Sequence, residues 1–315
     1  MNNIILAFSV VFPLMLQMTI GYILMRRKIV DTNSLNVMNK LVFRVFLPIL
    51  LFLNIYSLEP EEAINSENGY LLLLSVLSII LMTAMMHFLF PLLIKDKKKC
   101  SVMIQGIFRS NLVLFGIPIA ASIYGEDRIG SVSLLAAFIV PLFNILAVIV
   151  LEYYRGGKVN YKKVIINIIK NPLIIASVIA FILLMFRVQI PEILITPLSS
   201  LSKVATPLAF IVLGGTFQFR RIHANLKYLS VVVLGKLLLF PLAVFATAIA
   251  LGFRGVALVA LIGVTASPTA VSSFTMAVEM DADGELAGQI VIFTSIISII
   301  TIFLLVYLLK ILHFI

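Results

Sequence analysis

Ten apolar runs of roughly 20–25 residues follow one another with short connectors, and each is long enough to cross a bilayer core of about 30 Å as a helix. Their limits read as 5–25, 36–57, 70–94, 102–124, 129–152, 164–186, 195–217, 227–252, 256–279 and 286–309. Spanning elements must satisfy their own backbone, so helices or closed barrels are the only choices. Runs of this length predict an all-α polytopic membrane protein. Charged residues make up 12% of the chain and apolar ones 62%, about half the charged share of a soluble domain. The first run has no basic residue before it, and Arg26, Arg27 and Lys28 follow it. It therefore reads as a spanning helix, not a cleaved signal peptide.

Basic residues set the expected orientation. Alternate connectors on one side hold 16 Lys and Arg, including 26–28, 95–99, Arg155 to Lys170 and Arg220, Arg221 and Lys227. The other side holds four: Arg128, Arg187, Arg254 and Lys310. The rich side is expected to be cytoplasmic, with both termini and the acidic 59–68 connector outside a cytoplasmic membrane. The net charge of +10 needs only an anionic lipid leaflet, not nucleic acid. One cysteine and three scattered histidines give no disulfide, metal set or cofactor site. The spans carry no enzyme-like constellation of His, Cys and acids.

Ten spans divide into five and five, and an odd number per half sets the halves in opposite orientations. The expected division is 1–157 (spans one to five) and 158–315 (spans six to ten). Prolines support this inverted repeat. Pro13 and Pro172 are 159 apart, as are Pro48 and Pro207; Pro91 and Pro241 are 150 apart, as are Pro118 and Pro268. Spans four and nine carry the most disruptive residues. Gly116 and Pro118 lie in one and "TASPTAVSSF" around Pro268 in the other. Proline removes a donor and clashes with the preceding turn, so each span is expected to break at its proline. The second half-helix would then start with the proline in its first turn.

Unwound backbone at membrane depth must line a cavity or be buried. Two half-helix N-termini meeting at mid-membrane would each carry about half a positive charge and free N–H groups. Ser110, Asn111, Thr265, Ser267, Thr269, Ser272 and Ser273 add neutral hydrogen-bonding groups. Four basic residues, Arg44, Arg109, Lys203 and Lys236, fall inside spans, and no acid lies near a span centre. Arg44 and Lys203 are near enough to span ends to snorkel. Lys236 is the deepest and, with Arg109, is the candidate source of positive potential. This one-signed inventory favours an anionic solute over cation exchange.

The motifs "NLVLFGIP" at 111–118, "PTAVSSF" at 268–274 and "KLLLFP" at 236–241 resemble those of the auxin efflux carrier family, in its short bacterial form. The resemblance covers the whole chain. It implies a crossover fold related to sodium/proton antiporters and bile-acid symporters. It further implies elevator-like motion of a transport domain (spans three to five and eight to ten) against a scaffold (spans one, two, six and seven), and a homodimer. It implies a small organic carboxylate as substrate, auxin in plants and malate- or malonate-like acids in bacteria. Ser272 stands where the family often has Asn, offering a hydroxyl in place of an amide. The expected substrate contacts are Asn111, Gly116, Pro118, Ser267, Pro268, Thr269, Ser272 and Ser273. Proton or sodium coupling is left open, with a sodium-coupled symporter of bile-acid type as the alternative.

Overall fold

The structure is a computed structural model and describes residues 2–57, 66–125, 130–155, 161–218 and 221–315. The acidic segment 59–65, the basic segment 156–160, Arg128 and Arg220 lie outside the described residues. Among those described, every regular element is a helix. In chain order they are α1 Asn2–Arg26, α2 Thr32–Tyr56, α3 Ser66–Leu93, α4 Lys97–Phe108 and α5 Leu112–Tyr124. Then follow α6 Gly130–Tyr154, α7 Tyr161–Ile169, α8 Pro172–Met185 and α9 Glu192–Thr216. The last four are α10 Ile222–Ala250, α11 Val256–Ala266, α12 Ser272–Glu279 and α13 Gly284–Ile311. Among the described residues seven apolar helices are of membrane length, taking α4 and α5 together, and three shorter apolar helices accompany them.

Local chemistry explains several boundaries. Asp31, Asp96, Asn171 and Asp283 each cap a helix start through a side-chain oxygen, as short polar side chains do. The Ser34 hydroxyl and amide that bind Asp31 hold its carboxyl below the usual range. The Asn171 cap also corrects the expected sixth span. The run 164–186 is not one helix: α7 ends at Ile169, and Pro172 opens α8, where its missing N–H costs no helical bond. Helix α7 packs against α6, with Asn167 donating to Glu152 at the end of α6.

The packing is inside-out relative to a soluble protein. Phe88, Leu92, Met185 and Ile193 are exposed, while Gln105, Arg109, Asn144, Lys236, Thr265, Thr269 and Thr294 are buried. Apolar surface facing lipid costs nothing, whereas polar groups must find partners within the protein. Helix α1 lies along α9, and the second half of α2 packs on α8 and α9. The α1–α9 contact is close because Gly21 meets the Ile211 carbonyl and Gly214 meets the Met18 carbonyl. Small residues permit such backbone approach between membrane helices. Helices α3, α4 and α6 pack together, and α13 packs against α10, α12 and α4. Arg44 and Lys203 lie exposed on α2 and α9.

Candidate functional site

Two helix interruptions meet inside the protein. The chain leaves helical geometry at Arg109–Asn111 between α4 and α5, and at Ser267–Val271 between α11 and α12. Each interruption caps the other. The Asn111 amide donates to the Pro268 carbonyl at 2.8 Å. Thr269 Oγ1 donates to the Gly106 carbonyl at 2.7 Å, and Ser110 Oγ donates to the Val264 carbonyl. Gln105 Nε2 donates to the Ser273 carbonyl at 3.0 Å. The carbonyls of Gly106 and Val264 belong to the last turns of their helices, which leave acceptors unpaired. Val264 loses its acceptor's usual partner because Pro268, four residues on, has no N–H. Beside these links Gly116 and Gly263 touch through their backbones: a Cβ on Gly263 would stand 2.7 Å from the Gly116 Cα.

This geometry corrects the expected break in the fourth span. Pro118 is not at a break. It lies inside α5, seventh in that helix, while the interruption sits at Arg109–Asn111. Proline there removes only the donor that would bond the Leu114 carbonyl. Pro268 does lie in an interruption, but it precedes α12 by four residues and does not open it. The correspondence of Pro118 with Pro268 therefore does not extend to backbone conformation.

The site residues named from sequence separate into two groups. Arg109, Ser110, Asn111 and Ser272 line a cavity together with Leu112, Val113, Ala270 and Val271. Pro268, Thr269, Ser267, Gly116 and Ser273 form the crossing itself and do not line it. Ser267 Oγ bonds its own chain at Ile262, and the Thr269 amide donates to Thr294 Oγ1 at 3.1 Å. Ser273 Oγ is buried without a hydrogen bond among the described residues. Thr265 bonds back to Leu261. Lys236 is fully buried and lies off the cavity wall.

The cavity holds about 120 Å³ of space open to water-sized groups, room for about four waters at roughly 30 Å³ each. One wall is polar. An Arg109 Nη donates to Asn144 Oδ1 at 2.5 Å and to Ser272 Oγ at 2.7 Å, and Asn111 stands beside them. The opposite wall is mainly apolar, with Leu47, Leu50 and Leu51 of α2 and Leu173 of α8, interrupted by Asn54 and Thr206. Arg109 is the one charged side chain on the wall among the described residues. The N-termini of α5 and α12 both begin at this cavity. Asn111 makes no side-chain capping bond to α5, so its amide is free to face a ligand.

Sequence reasoning passed over Asn144, Asn54 and Thr206. The available signal for Asn144 was a lone amide three residues after Pro141 inside a 25-residue apolar helix. Asn54 gave a weaker one, because it sits near the end of α2 where polar residues are ordinary, and Thr206 gave only a mid-helix threonine before Pro207 in α9.

The crossing makes a stability prediction. Thr269→Ala leaves the buried Gly106 carbonyl without its donor, at a cost of about 1–3 kcal/mol. Thermal unfolding of the detergent-purified protein should show a lower midpoint for Thr269→Ala than for Ser272→Ala, whose hydroxyl sits on the cavity wall. The reverse order would remove Thr269 from the crossing's support.

A family model described as membrane transport protein matches residues 6–306. The chain is 24% identical over 297 residues to an uncharacterized transporter of Methanothermobacter thermautotrophicus, covering 92% of this chain and 94% of that one. It is 21% identical over 304 residues to an uncharacterized transporter of Methanocaldococcus jannaschii, covering 93% and 96%.

Proposed function

Because the chain belongs to the membrane transport protein family, the family of the auxin efflux carriers, we propose that it carries an organic acid with one carboxylate and an apolar body. A multi-pass membrane transporter needs a site reached from one side at a time. The cavity at the crossing supplies a site with one polar end. The observation that carries the reading is the pairing of Arg109, as the cavity's single cation, with two helix N-termini. A guanidinium offers a planar fork that matches a carboxylate. The α5 N-terminus adds N–H donors, and both N-termini add partial positive charge, although the Ser273, Phe274 and Thr275 amides of α12 already bond the carbonyls of Ala270 and Val271. Asn111, Asn144 and Ser272 complete the polar end.

The apolar wall decides between acid classes. A dicarboxylate such as malate would lay its second charge against Leu47, Leu50 and Leu51, where no cation compensates desolvation. A branched aliphatic monocarboxylate meets both walls. In proteoliposomes, labelled 3-methylbutanoate should show saturable uptake that excess malate does not suppress. Malate competing as well as the unlabelled substrate would overturn the single-carboxylate reading. Asn111→Ala should weaken uptake; equal saturable uptake would remove Asn111 from the site.

The motion we infer is elevator-like. Every polar group of the cavity except Asn54 and Thr206 lies on α6, on α12 or in the interruption between α4 and α5, while α2, α8 and α9 supply the facing wall. On the other side of the crossing, Asn39 of α2 donates to the Thr275 carbonyl at 3.3 Å and to Glu279 Oε1 at 3.2 Å. That contact ties α2 to α12 away from the residues that line the cavity.

A further inference from the structure

Lys236 presents a problem the carboxylate site does not solve. Its side chain is fully buried, off the cavity wall, and pairs with no carboxylate among the described residues. A basic group at membrane depth needs compensation. What surrounds it is specific. Its Nζ donates to Ser110 Oγ, which donates onward to the Val264 carbonyl. Nζ also stands 5.7 Å from the centre of the Phe240 ring, within cation–π range.

Those partners sit where two helices end. Ser110 follows the last turn of α4, and Val264 lies in the last turn of α11, a π-helical turn. A helix C-terminus carries roughly half a negative charge. Two such ends therefore present about one negative charge beside the Lys236 ammonium. Lys236 rides on a second π-helical turn, Gly235–Leu239, a local form often found at functional sites. Gly235 lies against α4, where a Cβ would stand 2.9 Å from Ile107 Cδ1.

Half-helix C-terminal ends and unwound carbonyls are the groups that coordinate monovalent cations in membrane transporters. Here an ammonium tethered to the chain occupies that position. We propose that Lys236 is a built-in counter-cation of the crossing, taking the place a bound sodium ion would hold, so that the assembled crossing requires no sodium. The test needs no substrate, so its failure leaves the carboxylate reading untouched.

The experiment is thermal unfolding of purified wild type, Lys236→Met and Lys236→Ala in chloride salts at matched ionic strength. Wild type should unfold at the same midpoint in sodium and in choline chloride. Lys236→Met, which keeps length and removes charge, should fall by about 5 °C or more in both. Lys236→Ala should fall similarly in choline and recover at least half of the loss in ethylammonium chloride, which fits the vacated stem. A wild-type midpoint raised by sodium would overturn the proposal. So would Lys236→Met unfolding at the wild-type midpoint, or no ethylammonium recovery in a folded Lys236→Ala. If neither variant can be purified folded, the wild-type sodium comparison decides alone.

Discussion

Arg109→Gln should weaken carboxylate binding by roughly 10- to 100-fold, the equivalent of about 1.5–3 kcal/mol for a hydrogen bond to a charged group. Glutamine keeps hydrogen-bonding capacity near Asn144 and Ser272 but removes the cavity's charge. Arg109→Lys should fall between the two, since it restores charge without the planar fork. The measurement is the half-saturation concentration for 3-methylbutanoate uptake, with ligand-dependent thermal stabilisation as a second readout. Ligand-free stability separates binding from folding. The buried guanidinium has neutral partners only, so its loss removes a desolvated charge as well as its hydrogen bonds. An Arg109→Gln protein that folds and saturates at the wild-type concentration would end the assignment of Arg109 as the carboxylate's partner.

Gly214→Ala should strongly destabilise the α1–α9 contact. A Cβ at Gly214 would stand 1.9 Å from the Met18 carbonyl oxygen and 2.6 Å from its carbon. These are backbone atoms of α1, so no rotamer change relieves the clash; the helices must separate along their length. Overpacking costs typically 1–3 kcal/mol and sometimes more, and a backbone obstacle places this case at the upper end. The unfolding midpoint should drop by roughly 6–12 °C. Gly21→Ala meets the Ile211 carbonyl oxygen at the same 1.9 Å and should behave alike. Gly69→Ala is the control: nothing lies within 4 Å of its added carbon, and in α3 alanine is the better helix former. Equal midpoints for Gly214→Ala and Gly69→Ala would refute the close contact.

The comparison of Lys236 with Arg109 shows what depth in a span can and cannot tell. Position along an apolar run made Lys236 the deepest cation and Arg109 a lesser one. The structure puts Arg109 on the cavity wall and Lys236 behind the crossing. Depth is a coordinate along a helix, whereas access to a cavity depends on the direction of the side chain around it. Successive residues turn by about 100°, and the neighbour each one meets is set by packing between helices far apart in sequence.

The order of apolar runs, the basic connectors and the paired disruptions in spans four and nine were enough, read alone, to establish a membrane protein with two interrupted helices, and the motifs at 111–118, 236–241 and 268–274 pointed to its family. They could not place the first interruption. Proline looked like the strongest local breaker, yet α5 runs through Pro118, since membrane helices tolerate proline where neighbouring groups re-satisfy the freed backbone. The chain opens instead at Arg109–Asn111, a stretch with no proline. There the amide of Asn111 finds the Pro268 carbonyl and the Gly106 carbonyl finds the Thr269 hydroxyl. Those partners lie more than 150 residues away in sequence, so only the assembled fold could decide where breaking the helix leaves its buried polar groups satisfied.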